Sequence, residues 1–428
     1  MTTIETPDVE AEEPGSARDV LRNRDFRRIF LASFASSTGR WMQNVALGVF
    51  AFKLSGTASF TTLVIAAQLF PLLVLSLIGG SLADLVDRRK LLIVTQLWQA
   101  VWGLVLAWQV LDDEISKSLL LFIVFMTGIG QALFAPAFTA VVPSLVGRRN
   151  LPAAISLNSA QVNLSRVIGP VIGAMLVSRW GIAEVFALNS LTYLLIIGVL
   201  FVTPIPPTQS RPGQSIGDRI FGGVRLAARS PQVGRPLAIM VSFSIFCLPF
   251  IGLMPVIAER NWGIDSAGRI YGYLYGAFGL GALAGAISVG TVLLRVDRAK
   301  VVRITLACFA VSLAALAAVH SPGPAYPIIF FVGLFYFTMP TALSTFLQEH
   351  LGDEVRGRVM ALWVVSFGGV LSITNLFSGM VADATSVSAV MYGGAVAAVV
   401  LAITVRLVPG PIATEALLGS GDPLSSEA

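Results

Sequence analysis

Long apolar runs dominate this chain, and short polar breaks separate them. A helix needs about 20 apolar residues to cross the ~30 Å hydrocarbon core of a bilayer. Twelve runs near that length are found, over 29–52, 61–82, 91–111, 119–142, 152–178, 185–203, 237–258, 270–294, 301–319, 326–346, 359–381 and 389–405. Hydrophobic residues are 55% of the chain and charged ones 12%, with a mean hydropathy of +0.79. A soluble domain would carry roughly twice that charge fraction. The prediction is an all-α membrane protein of twelve transmembrane helices in two six-helix bundles.

The polar breaks divide the chain. Residues 1–17 form a tail too poor in apolar groups to pack. Residues 18–203 make the N-terminal bundle, 204–236 a polar, Pro-rich linker, 237–408 the C-terminal bundle and 409–428 a flexible tail. Asp19 to Arg28 reads as a basic amphipathic lead-in whose Leu21 and Phe26 touch the membrane interface. In the linker, Ser215 and Asp218 make a partial capping box before Ile216, Ile220 and Val224. That segment is either a helix lying on the membrane surface or a solvated connection. Placing the N-terminus in the cytoplasm puts 22 of the 29 cations on the cytoplasmic side. Only Lys53, Lys117, Arg179, Arg260 and Arg269 fall on the other. The positive-inside rule thus predicts that both termini are cytoplasmic, in a plasma-membrane protein. It also accounts for the net charge of +5 without nucleic acid. The first twenty residues are polar and acidic, unlike a cleavable signal peptide.

The break between the second and third runs, Gly79-Gly80-Ser81-Leu82-Ala83-Asp84-Leu85-Val86-Asp87-Arg88-Arg89-Lys90, has a counterpart 210 residues on. Gly80, Val86, Asp87, Arg88 and Lys90 recur as Gly290, Val296, Asp297, Arg298 and Lys300, while Leu294 replaces Asp84. Tandem six-span halves with a substrate site between them are one recurring transporter design. The spacing in the first copy resembles the loop signature of the major facilitator superfamily, with Leu85 where a cation is usual and Asp87 where Gly is common. The Asp-Arg-Arg ending, Leu21-Arg22-Asn23-Arg24-Asp25-Phe26, Gly39-Arg40-Trp41-Met42-Gln43-Asn44 and the 142–152 loop resemble the branch that includes enterobactin exporters and macrolide efflux pumps. Gly169-Pro170-Val171-Ile172-Gly173 resembles that superfamily's antiporter signature in the fifth span, with Ala174 at the final glycine. The resemblance implies a gate of Gly80, Asp84, Arg88 and Arg89, in which Asp84 meets the N-terminus of the eleventh helix. It also implies a kink at Gly169, Pro170 and Gly173 that keeps the path tight. For Asp84 the plainer reading is a loop acid paired with Arg88.

Arg40 and Arg166 stand near the middle of their spans, where an unsupported cation costs at least about 2.5–3.5 kcal/mol. No acid lies at comparable depth; Asp112, Asp113, Glu114, Glu184, Glu259, Asp265 and Asp383 gather at the outer ends. Two such arginines point either to a positive chamber for an anionic, phenolic or carboxylate-bearing substrate, or to guanidinium groups that fix helices through carbonyls and polar neighbours. Gln43, Asn44, Gln68, Gln131, Asn163 and Asn375 join them as candidate substrate contacts or, equally, as helix–helix hydrogen bonds. Gly272, Gly276, Gly279, Gly281 and Gly285 form a small-residue ridge without the strand and Lys-Ser/Thr ending of a nucleotide loop. Cys247 and Cys308 lie in apolar runs, and His320 and His350 are far apart, so neither a disulfide framework nor a metal centre is expected. The expected function is a secondary transporter, not an enzyme. It exports a small organic molecule, such as a drug or siderophore-like metabolite, by alternating access as a monomer in the bilayer. No cofactor is expected, and protons exchanged against substrate supply the energy, as the resemblance implies. An importer on the same machinery and a non-transporting sensor are the rivals.

Overall fold

The structure, a computed structural model, describes residues 16–111, 115–141, 145–205, 224–351, 359–360 and 362–407. Of 76–85, 140, 148 and 152 it describes the backbone alone. Twelve long helices, here α1 to α12, follow the apolar runs. They are α1 (Arg24–Ser55), α2 (Ala58–Leu85), α3 (Arg88–Val110), α4 (Lys117–Val141), α5 (Leu151–Arg179) and α6 (Ile182–Val202). The second set is α7 (Pro231–Phe246), α8 (Arg269–Gly290), α9 (Arg298–Ala318), α10 (Pro322–His350), α11 (Val370–Ala384) and α12 (Val387–Thr404). Among the described residues, eleven helices are long and apolar enough to cross a membrane. The exception is α1. Its 32 residues reach about 48 Å, but Ser33, Ser36, Ser37, Thr38, Arg40, Gln43 and Asn44 dilute its apolar content.

Two elements depart from simple rods. The seventh run, expected as one helix, ends at Phe246 and resumes through a tight turn at Pro249–Ile251 and a short helix at Met254–Trp262. Pro249 and Pro255 cannot donate the helical N–H bond, so the break falls where they stand. In the eleventh run, Val365–Gly369 forms a π-helical turn before α11, a distortion common at functional positions. The amphipathic lead-in is also corrected. It stops at Arg22, and Asn23 starts α1 by accepting from Asp25 N and Phe26 N at 3.0 and 3.2 Å. Phe26 is then buried beside Phe134 and Phe138 rather than lying at the interface. Before it, Ser16 hydrogen bonds hold the Asp19 carboxyl below the usual carboxylate range. The proposed linker helix at Ser215–Val224 falls almost wholly outside the described residues.

The repeated loop proves to be a helix start in both halves. Asp87 caps α3 through Arg89 N at 2.9 Å and Lys90 N at 3.2 Å, and Asp297 caps α9 through Lys300 N at 2.9 Å. The first six helices pack among themselves and the last six likewise. The two sets meet chiefly through α5 against α8 and α2 against α11. Side chains such as Trp108, Val311, Val396 and Ile403 stay exposed on the rim, as a lipid-facing surface requires. The end carrying Arg88 and Arg298 is called the basic end below, and the opposite one the far end.

Candidate functional site

Helix α5 sets the centre of the molecule. Gly169 and Gly173 on one face let α1 come into backbone contact: a Cβ on Gly173 would stand 2.7 Å from Met42 Cα, and one on Gly169 2.8 Å from Thr38 O. Polar ties hold the register, with Gln161 Nε2 donating to Ser33 Oγ at 2.9 Å and Thr38 Oγ1 to Ser165 Oγ at 3.3 Å. These contacts place mid-span Arg40 beside mid-span Arg166, within electrostatic reach of each other. Both stay partly open at this depth.

The guanidinium of Arg166 lies 5.7 Å from the Trp41 ring and 5.3 Å from the Phe367 ring. The first ring belongs to α1 and the second to the π-helical turn of the other half, so the cation is held between aromatic faces of both halves. Tyr336 of α10 is also within its electrostatic reach. Arg166 Nε and Trp41 Nε1 are buried with no hydrogen-bond partner. A partly open guanidinium flanked by rings is equipped to take a carboxylate or phenolate. Trp41 stood in the sequence only as part of the Gly39–Asn44 resemblance, and Phe367 and Tyr336 were not singled out, since aromatic residues in apolar runs read as core.

The remaining predicted contacts divide. Asn44 accepts from Gln68 Nε2 at 3.1 Å, and both are half-buried. Gln131 and Asn163 are half-buried as well. Gln43 is 2% exposed and accepts from Asn189 Nδ2 at 2.5 Å. It therefore joins α1 to α6 instead of facing a chamber, and within α6 the same Asn189 amide also donates to Tyr193 Oη. Asn375 is 1% exposed and lies against Gly252, its Oδ1 unpartnered, so it too is in packing.

Of the expected gate, Gly80 and Asp84 are described in backbone alone, and nothing is described of the Asp84 side chain. Arg88 is half-buried at the start of α3. Arg89 does not reach across the halves. It donates to Leu200 O at 2.8 Å and Phe201 O at 2.5 Å, closing the C-terminal end of α6 within its own half. Pro170 is inside α5. The glycine ridge of α8 serves two neighbours: Gly272, Gly276 and Gly279 face Ala174, Val171 and Val167 of α5, whereas Gly281 and Gly285 face the backbone of α10.

One open cleft of about 540 Å³ lies between the basic ends of α9 and α12, lined by Arg303, Ile304, Ala307, Ala402, Ile403, Val405 and Arg406. It is remote from the arginine pair. Arg303 there donates to Val405 O at 3.1 Å, closing the end of α12.

At the far end the halves are bonded to each other. Asp383 of α11 accepts from Ala58 N and Ser59 N, and Arg260 donates to Gly56 O. Lys53 pairs with Asp265 at 3.3 Å. Every hydrogen bond and ion pair between the halves whose two partners are both described lies at this end.

Residues 16–422 match the family model described as transmembrane secretion effector. An enterobactin exporter, EntS, of Escherichia coli O1:K1 / APEC is 29% identical over 350 residues, 79% of this chain and 80% of the relative. The exporter of the same name from Shigella boydii serotype 4 is 27% identical over the same shares. Among solved structures, a POT family transporter in complex with a thioalcohol-conjugated peptide superposes with a TM-score of 0.70 at 12% identity, over 89% of this chain and 95% of that one. The nucleoside transporter NupG gives 0.66 at 12% identity, over 89% and 98%.

Proposed function

The chain belongs to the transmembrane secretion effector family of major facilitator transporters, and from that premise we propose that it exports a small anionic organic molecule by alternating access. The observation that carries this reading is the pair of mid-span arginines. Arg40 and Arg166 hold two positive charges where α1 and α5 meet, and Arg166 stands between rings from both halves. A cation so placed stays only where a cavity or partner supports it. An anion entering there pairs with the partly open Arg166 guanidinium between Trp41 and Phe367.

The basic end is assigned to the cytoplasm by the positive-inside rule. Export is favoured over import by the family and by relatives named for export of enterobactin. Proton antiport is the energy source in this reading, with the monomer as the working unit. The test uses everted membrane vesicles from cells with and without the protein, energised and offered mixed organic acids. ATP is withheld and respiration supplied. Uptake of an acid only into vesicles holding the protein is the expected result. Uptake of none, or equal uptake of neutral analogues, overturns the anionic assignment.

A further inference from the structure

Helix α2 begins at Ala58, and its first two N–H groups go to a residue of the other half. Asp383, in the last turn of α11, accepts from Ala58 N at 3.0 Å and from Ser59 N at 2.7 Å. Ser59 Oγ donates to the same carboxylate at 2.5 Å. A carboxylate across a helix start meets both the free N–H groups and the positive end of the helix dipole. Helix starts are ordinarily capped by a residue next to them in sequence. Here Ser55 and Thr57 stand beside the site, and Thr57 does bond Phe60 N at 3.4 Å. The first two donors nevertheless bond a side chain more than three hundred positions away.

Arg260 completes the arrangement. Its Nη1 pairs with Asp383 Oδ1 at 2.9 Å, its Nη2 donates to Gly56 O at 3.0 Å, and it lies 5.8 Å from the Phe52 ring. The same carboxylate and the same guanidinium therefore bridge the turn between α1 and α2. One turn earlier, Gly379 lets α11 approach so closely that a Cβ would stand 2.5 Å from Ala58 O. The bonds of Asp383 to Ala58 and Ser59 and of Arg260 to Gly56 cannot persist if the halves part at this end, while the Arg260–Asp383 pair stays within its own half.

We infer that Asp383 is a positioning residue of the transport cycle: it latches the far end shut by capping α2, and its release accompanies opening on that side. This rests on the transport reading above for its purpose, but not for its geometry. The arrangement mirrors the contact expected at the basic end. There an acid at the C-terminal end of α2 is expected to meet the start of the eleventh helix; here an acid at the C-terminal end of α11 meets the start of α2. One helix pair, α2 with α11, would carry opposed latches at its two ends.

The test measures the gap at the far end in the whole protein, reconstituted in lipid nanodiscs without substrate. Spin labels go on Ser116→Cys and His320→Cys, exposed loop positions of the two halves, in a Cys247→Ala, Cys308→Ala background. Loss of one charge-assisted interaction in a partly exposed site changes the balance by about tenfold. Asp383→Asn is expected to raise the long-distance population by that factor. Ser59→Ala and Arg260→Gln are expected to raise it less, and they decide the matter if Asp383→Asn does not fold. An unchanged distance distribution in the folded variants overturns the latch and leaves the export reading standing. A widened distribution in a protein that moves no solute upholds the latch and overturns the export reading.

Discussion

A charge in an apolar run is visible in sequence because burying it costs so much, and so Arg40 and Arg166 could be picked out from the chain alone. Their neighbours could not. Trp41 and Phe367 cost nothing in an apolar run, and only the fold shows that they flank the same guanidinium. Amides were ambiguous for the opposite reason. Gln43 and Asn44 are adjacent, yet one lies against Asn189 and the other stays half open. If Arg166 recognises an anion, Arg166→Ala loses a charge-assisted bond, worth about 1.5–3 kcal/mol. Transport of an anionic substrate should then fall at least tenfold in initial-rate assays, and transport of a neutral analogue much less. Equal losses would mark Arg166 as a structural group. Arg89 gives the reverse expectation. Its two bonds to the carbonyl end of α6 make Arg89→Ala destabilising by about 1–2 kcal/mol. Thermal unfolding in detergent should shift downward, while the distance between the halves at the far end stays as in the parent protein.

Helix number and register were legible at the level of elements, because crossing length and cation placement constrain each other. Helix continuity was less so. Proline within a membrane helix is tolerated when neighbours satisfy the freed carbonyls, so Pro170 remains inside α5 while Pro249 ends a helix. Nothing local separates the two. The α8 glycines teach the same point, since a single ridge turns out to face two partners. A Cβ on Gly281 or Gly285 would run into the α10 backbone at Phe330 O or Leu334 O, whereas one on Gly276 meets only Val171 Cγ1 at 3.8 Å. Overpacking costs about 1–3 kcal/mol. Gly281→Ala and Gly285→Ala should therefore lower the yield of folded protein and its unfolding temperature. Gly276→Ala should do neither, and fluorescence size-exclusion of the three variants checks the contrast.

At the scale of the molecule, the internal repeat was legible because both copies keep the aspartate that starts a helix, Asp87 and Asp297. The latch at the far end was not, because Asp383 and Ala58 are joined only by the folded arrangement. The energetics follow from charge rather than from any single residue. Among the described residues no acid shares the mid-span position of Arg40 and Arg166, so a proton has no buried carboxylate there to ride on. An anion leaving the cytoplasm nevertheless moves down the inside-negative potential, which is worth about 2.3 kcal/mol per charge at 100 mV. At 1.4 kcal/mol per factor of ten, that alone sustains a gradient of roughly fiftyfold for a monovalent substrate. Proton entry adds positive charge moving inward, so the potential assists both legs of an antiport. In vesicles loaded to hold both gradients, dissipating the potential with valinomycin and potassium should cut anion accumulation steeply even with the pH gradient intact. Removing the pH gradient with nigericin should cut it only by the proton share. If valinomycin leaves accumulation untouched while nigericin abolishes it, the complete exchange cycle moves no net charge, which export of an anion against entering protons cannot achieve, and the paired arginines serve a purpose other than binding an anion.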